Sequence, residues 1–208
     1  MRKHRPAKAL KPSFPVGEIS ILTGGASSRM GRDKASLRLG RRTLLGHVRA
    51  SAQDSGWPHR VIRRDLVPGC GPLGGVYTAL AISRAETILF LSCDMPFVSG
   101  TLLKSLIRRL GTRKSALFVK NNGLVGFPFL VRRAALPVVE RLLTARLLSL
   151  QHLARALCAQ TVPIPPRQRR HLVNINTPED WRKAQDQWPG AAAGSRAGPK
   201  TNQKRLVV

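Results

Sequence analysis

Glu18-Ile19-Ser20-Ile21-Leu22-Thr23-Gly24-Gly25-Ala26-Ser27-Ser28-Arg29-Met30-Gly31-Arg32-Asp33-Lys34 decides how the rest of the chain is read. Glu18–Leu22 is a short apolar run, sized for a buried strand, and it stops at a glycine pair. Gly24 and Gly25 let the backbone turn sharply and bring bare N–H groups close to a ligand. Ser27 and Ser28 add hydroxyl donors, and Arg29 and Lys34 add fixed positive charge. A strand that runs into such a loop makes a cradle for a triphosphate. The loop is not a P-loop, because GxxxxGK[ST] is absent, and GxGxxG does not occur in it. A helix is expected to follow it.

Outward from this loop, apolar runs and helical patterns alternate. Helices are expected over Leu44–Ser55, Gly74–Ser83, Thr101–Arg109, Leu136–Leu143 and Leu148–Ala159. Strands are expected at Val61-Ile62, Thr87–Ser92, Ala116–Lys120, Phe127–Val131 and Thr161–Ile164. Val173–Ile175 reads as a last extended piece. Thr177-Pro178-Glu179-Asp180 then carries the grammar of a helix start. This alternation predicts a Rossmann-like three-layer α/β/α domain with a mainly parallel sheet. In such sheets ligands bind beyond the carboxyl ends of the strands, so the chemical residues should follow strands directly.

Three further clusters obey that demand. Thr87–Ser92 runs into Cys93-Asp94-Met95-Pro96. A carboxylate at the end of a buried strand needs a cation or donors, and Mg²⁺ suits it, because that ion takes one or two protein carboxylates and fills its remaining positions with phosphate and water oxygens. Asp94 reads equally as a turn residue when seen alone; the triphosphate loop favours the metal. Asp65 opens a Pro/Gly-rich loop ending at Gly71-Pro72-Leu73-Gly74-Gly75, and it can face a base or ribose, support the metal, or simply close the sheet. Asn174 and Asn176 stand on one side of an extended segment, where they can bind an acceptor or brace the loop. The five histidines lack ligand spacing or a Ser/Asp companion.

Composition narrows the class. Thirty-six Lys and Arg against ten Asp and Glu leave a net charge of +26. The basic residues form no single stripe: five lie in Met1–Gly17 and four in Pro189–Val208, with the rest spread between. Only 5% of residues are aromatic, so platforms for stacking bases are scarce and a nucleic-acid partner is not expected. Residues 1–16 read as a flexible basic arm, 17–188 as the folded domain and 189–208 as a disordered basic tail. Three scattered cysteines support neither a disulfide framework nor a zinc site. No apolar run approaches the length of a membrane span or a secretory signal, and the expected compartment is the cytoplasm.

The four clusters together resemble the molybdenum cofactor guanylyltransferases. LTGGASSRMGRDKA resembles their LAGGxSSRMGxDK signature, GPLGGVYTAL their GPLAGI helix start, LSCDMPFV their CDMP metal motif and NINTPEDW their NxNTPEDL. The motifs occur in family order and span residues 21–181. The resemblance implies the nucleotide-diphospho-sugar transferase type of α/β fold and GMP transfer from GTP to molybdopterin. It implies that Leu22, Thr23, Gly24 and Gly25 hold the nucleotide, that Arg29 and Lys34 bind the β- and γ-phosphates, and that Asp65 lies near the base or ribose. Asp94 would bind Mg²⁺, and Asn174 and Asn176 would face the acceptor. GTP and molybdopterin are the implied substrates, with molybdoenzymes or cofactor-synthesis proteins as further partners. Cytidylyl and sugar-phosphate transferases of the same superfamily, a basic nucleic-acid-binding protein and a non-catalytic relative are the competing readings. One departure from the family pattern stands out. Only Ser51–Arg60 and Val61-Ile62 fill the stretch where the family places a strand and a short helix.

Overall fold

The computed structural model describes residues 16–23 and 34–188. Residues 1–15 and 189–208, and with them nearly all of the two expected arms, lie outside the described residues, as does the loop 24–33. The chain runs through β1 (Gly17–Leu22), β2 (Arg38–Leu39), β3 (Arg42–Thr43), α1 (Leu44–Ser55), β4 (His59–Ile62), α2 (Gly71–Ile82), β5 (Thr87–Ser92), α3 (Gly100–Arg109), β6 (Ala116–Asn121), β7 (Leu124–Arg132), α4 (Leu136–Thr144), α5 (Leu150–Ala156), β8 (Gln160–Pro163) and α6 (Pro178–Asp186). Among the described residues, six strands form one sheet in the order β4-β1-β5-β7-β6-β8. β1 pairs in parallel with both β4 and β5, β6 pairs in parallel with β8, and β7 runs antiparallel between β5 and β6. The mainly parallel sheet is thus as expected, with one strand reversed.

Helices cover both faces. Ile19, Ile21, Leu89 and Leu91 point to one side, where they join Val48 and Ala52 of α1 and Leu102, Leu103 and Leu106 of α3. Phe90, Phe118 and Phe129 point to the other, toward Leu73, Val76 and Leu80 of α2 and toward α4 and α5. The three rings come from adjacent strands and stack in a row, 4.9 Å apart for Phe90–Phe129 and 4.6 Å for Phe118–Phe129. A one-residue slip would turn every ring to the wrong face, so the row pins the register around the reversed strand.

Local chemistry sets the helix ends. The Thr43 hydroxyl accepts from Gly46 N–H and Ser99 accepts from Leu102 N–H, while Thr177 and Asp180 form a reciprocal capping box. Several boundaries differ from those expected. No helix leads directly from Lys34 into α1. Residues 34–36 make a 3₁₀ turn and 38–43 a two-residue hairpin, with Gly40 in the left-handed region at φ 60°. α3 begins at Gly100, one residue before its expected start, because Ser99 caps it. The helix expected over Leu148–Ala159 is shorter, because Ser149 caps it at one end and Cys158, at φ 43°, ends it at the other. β7 begins at Leu124, just after the left-handed pair Asn122-Gly123 turns the chain back from β6.

The end of the sheet where β1 begins carries a buried charge. Glu18 is only 6% exposed, and Arg60 of β4 donates to both of its oxygens at 2.8 and 3.3 Å. Ser83, at the end of α2, adds a third donor at 3.2 Å, so the carboxylate is satisfied without water. Ser20 is different: its hydroxyl is fully buried and finds no hydrogen-bond partner among the described residues. Ser20→Ala removes that desolvated oxygen and should raise stability by about 1 kcal/mol, read as a Tm increase of roughly 2–4 °C. An unchanged or lower melting temperature would mean that the hydroxyl is satisfied.

Candidate active site

Strand order reverses direction at β1. From β1 the chain crosses through α1 to β4 on one side, then through α2 to β5 on the other. The crevice beyond the carboxyl ends of β1 and β5 is therefore the switch point at which open α/β sheets bind ligands. Three strand ends line up there. Leu22 pairs with Ser92 in the register, and Cys93 N–H donates to Leu22 O at 3.1 Å. On the other flank, Thr23 donates to Ile62 O through its N–H at 3.0 Å and through its hydroxyl at 2.9 Å. The mouth of the glycine loop is thus fastened between the strands that lead to Asp65 and to Asp94.

Asp94 leaves β5 one residue past Cys93. The residue is half-buried, with its Oδ1 shielded from solvent, while its backbone carbonyl accepts from Ile175 N–H at 2.9 Å. That bond lashes the extended segment 174–176 to the Asp94 turn, and Ile175 is fully buried beneath it. Asn174 and Asn176, one residue to either side, are both exposed. Asp180 braces the segment by accepting from Asn176 N–H at 3.0 Å and Thr177 N–H at 2.9 Å. The Asn176 bond is the chief cause holding the Asp180 carboxyl below its ordinary value. So the helix-start grammar of this motif also anchors the chain beside Asp94.

Asp65 lies across Leu22, against the first turn of α2. A Cβ built on Gly74 would come 2.8 Å from Asp65 Oδ2 and 2.9 Å from Val67 O, and one on Gly75 would come 2.9 Å from Leu22 Cδ1. The glycine pair therefore supplies a bare stretch of helix backbone on which the carboxylate and the Leu22 side chain rest. Thr78 holds the loop in place: its hydroxyl accepts from Leu66 N–H and donates to Gly74 O, both at 2.8 Å. Burial pushes the Asp65 carboxyl above its ordinary value.

Gly24, Gly25 and Arg29 lie outside the described residues, as does the side chain of Lys34. The backbone at Lys34 opens the 3₁₀ turn 34–36. Ala35, next in the chain, is buried in the same apolar cluster as Cys93, Met95 and Val98. Leu37 packs against a smaller cluster built on Leu39, Leu44 and Ile175, as do Phe97 and Trp181. The described chain after the glycine loop is therefore anchored through Ala35 on the sheet face that Cys93 and Met95 also join. His171 adds a brace that its sequence surroundings do not signal: its Nδ1 bonds Phe97 O at 2.7 Å and holds the 3₁₀ segment 166–172 to the turn after Asp94.

Among the described residues no group of three or more His, Cys, Asp or Glu could hold a metal. The single carboxylate of Asp94 at a strand end would suit a hard cation such as Mg²⁺, which draws its other oxygens from substrate and water. Nor is any described helix long and apolar enough to cross a membrane.

Comparisons with known proteins bear on the family and the fold. Residues 19–164 match the profile of the MobA-like NTP transferase domain. A molybdenum cofactor guanylyltransferase from Xanthomonas euvesicatoria is 32% identical over 174 residues, which cover 78% of this chain and 91% of the relative. One from Pseudomonas entomophila is 29% identical over 189 residues, covering 82% and 98%. Among solved structures, the molybdopterin-guanine dinucleotide biosynthesis protein A from Archaeoglobus fulgidus shares the fold at a TM-score of 0.64 and 22% identity, over 81% of this chain and 97% of that one.

Proposed function

The chain belongs to the MobA-like NTP transferase family, and from that membership and its strand-end site we propose that it transfers GMP from GTP to molybdopterin, releasing pyrophosphate and forming the guanine dinucleotide cofactor. The observation that carries the reading is the bond from Cys93 N–H to Leu22 O. It sets the mouth of a glycine-rich, cationic loop and a carboxylate on neighbouring strand ends, although the two are some seventy residues apart in sequence. The proposed compartment is the cytoplasm.

The terminal phosphate oxygen of molybdopterin attacks the α-phosphorus of GTP in line. The new P–O bond forms as the bond to the β-phosphate bridging oxygen breaks, and pyrophosphate departs with the electron pair. The attacking oxygen is already an anion, so no side chain has to remove a proton. Catalysis then rests on positioning and on neutralising charge. Arg29 and Lys34 meet the β- and γ-phosphates and offset the charge that builds on the leaving group. Leu22, Thr23, Gly24 and Gly25 hold the nucleotide through the loop backbone, and Asp65 faces the base or ribose from the loop that rests on the first turn of α2. Asn174 and Asn176 orient the acceptor on the far side of Asp94. Mg²⁺ held by Asp94 would supply Lewis-acid stabilisation of the phosphate oxygens.

The test is a panel of GTP, CTP, ATP and UTP with Mg²⁺, read by pyrophosphate release with and without molybdopterin. Release is expected with GTP, and only when molybdopterin is present. A preference for CTP would replace guanylyl with cytidylyl transfer. Failure to bind any NTP would sink the enzyme reading.

A further inference from the structure

The opposite end of the sheet carries a second concentration of charge that the transfer reaction does not use. Arg132 sits at the close of β7, paired with Thr87 at the start of β5, five residues before the end that leads to Asp94. At about 3.3 Å per residue this puts it roughly 17 Å from the proposed active site. A cleft of about 640 Å³ opens there, lined by Arg84, Arg132 and Arg133 with Glu86 as its sole acid. A neighbouring hollow of about 220 Å³ is lined by Arg113 and Lys114 and contains no acid. Arg132 and Ala134 wall both.

Arg132 is not a freely swinging surface side chain. Its Nε donates to Lys114 O at 2.9 Å and its Nη2 to Gly111 O at 3.3 Å. These bonds use two of the five N–H groups of the guanidinium and fix its plane between the two cavities. Arg133 N–H donates to Glu86 O at 2.8 Å, which sets the backbone from which the next arginine projects. Leu136 and Pro137, in the first turn of α4, complete the wall, and that turn carries no acidic residue to offset the positive end of the helix. Among the described residues no aromatic side chain lines either cavity, so no platform is offered for stacking a base. What remains is charge and N–H donors in two adjoining hollows, which matches a chain of linked phosphate groups.

We propose that this double cleft is a second anion site, remote from the NTP cradle, that binds a chain of linked phosphates. The cleft itself does not require GMP transfer, whereas the expected count of two tripolyphosphate sites rests on the NTP cradle of the proposed function. The phosphate chain can be free polyphosphate or the backbone of a nucleic acid. Both sources are tested on the full-length protein by calorimetry at low salt, with sodium tripolyphosphate and with a twelve-nucleotide oligothymidylate. The variant is Arg113→Ala/Arg133→Ala, which removes two exposed side chains, one from each cavity, and leaves Arg132 in place. Arg141→Ala/Arg182→Ala, exposed residues on α4 and α6, removes the same charge elsewhere.

Wild type should bind tripolyphosphate at two sites, and the cleft variant should lose one of them or weaken it at least about tenfold. The control should keep both, and GMP transfer should be unchanged in either variant. If oligothymidylate binding falls as well, with its log–log salt slope reduced by about 1.4 for two lost contacts, the nucleic-acid backbone enters the cleft. Oligothymidylate binding equal to wild type assigns the cleft to free phosphate chains. A cleft variant that titrates like wild type, or that loses no more binding than the control does, overturns the proposal.

Discussion

Asp94→Ala should lower turnover about a thousandfold, an effect equivalent to ~4 kcal/mol of transition-state stabilisation. The residue contributes two separable things. Its backbone carbonyl holds Ile175 N–H and so fastens the 174–176 segment, and this bond survives the substitution. Its carboxylate stands at the strand end beside the strand that leads into the glycine loop, and this is lost. The variant should therefore melt like wild type while losing activity, and the loss should fall on kcat more than on KM for GTP. Asp94→Asn keeps the size and one acceptor oxygen but not the charge, so its loss should approach that of alanine. Magnesium-dependent transfer at wild-type rates in either variant would show that the ion sits elsewhere.

The sheet was legible in the sequence wherever apolar runs were short and sharply bounded. Glu18–Leu22 and Thr87–Ser92 stop at Gly24-Gly25 and Asp94, and both strands are found within a residue of their expected bounds. Less was legible where a boundary depends on a turn rather than on burial. β7 begins three residues before Phe127 because Asn122 and Gly123 both take positive φ, and Leu124, 64% exposed at the hairpin tip, breaks the alternation that marks a half-buried strand. The hairpin 38–43 is two residues a side, too short for periodicity to signal. Of the candidate site, Asp65 and Asp94 were visible as carboxylates following strands. The residues that position them were not. Thr78 is an unremarkable helix residue in sequence, and only the fold brings its hydroxyl to Leu66 N–H. Gly74 and Gly75 read as loop-to-helix punctuation, whereas their use is to leave room for Asp65 and Leu22. The two long-range bonds that assemble the site, Cys93 to Leu22 and Ile175 to Asp94, belong to the backbone, which carries no sequence signature.

Lys34→Ala should raise KM for GTP about a hundredfold, the effect of losing one charge-assisted contact of ~3 kcal/mol to the triphosphate. The reasoning starts from the backbone. The 3₁₀ turn at 34–36 is anchored by Ala35, which is buried in the apolar cluster that also holds Cys93 and Met95, so the backbone at Lys34 is fixed. In the proposed reaction, such an anchored backbone would let the ammonium meet the leaving phosphates without reordering the chain. Because the buried neighbour is untouched, Lys34→Ala should fold normally. Lys34→Arg keeps the charge on a differently shaped head and should recover part of the binding, though not all, since a guanidinium cannot reproduce the point contact of an ammonium. Equilibrium binding of GTP in the absence of acceptor separates this effect from chemistry. Affinity equal to wild type would place Lys34 outside the nucleotide site, and it would leave Arg29 as the cation to test next in the same loop.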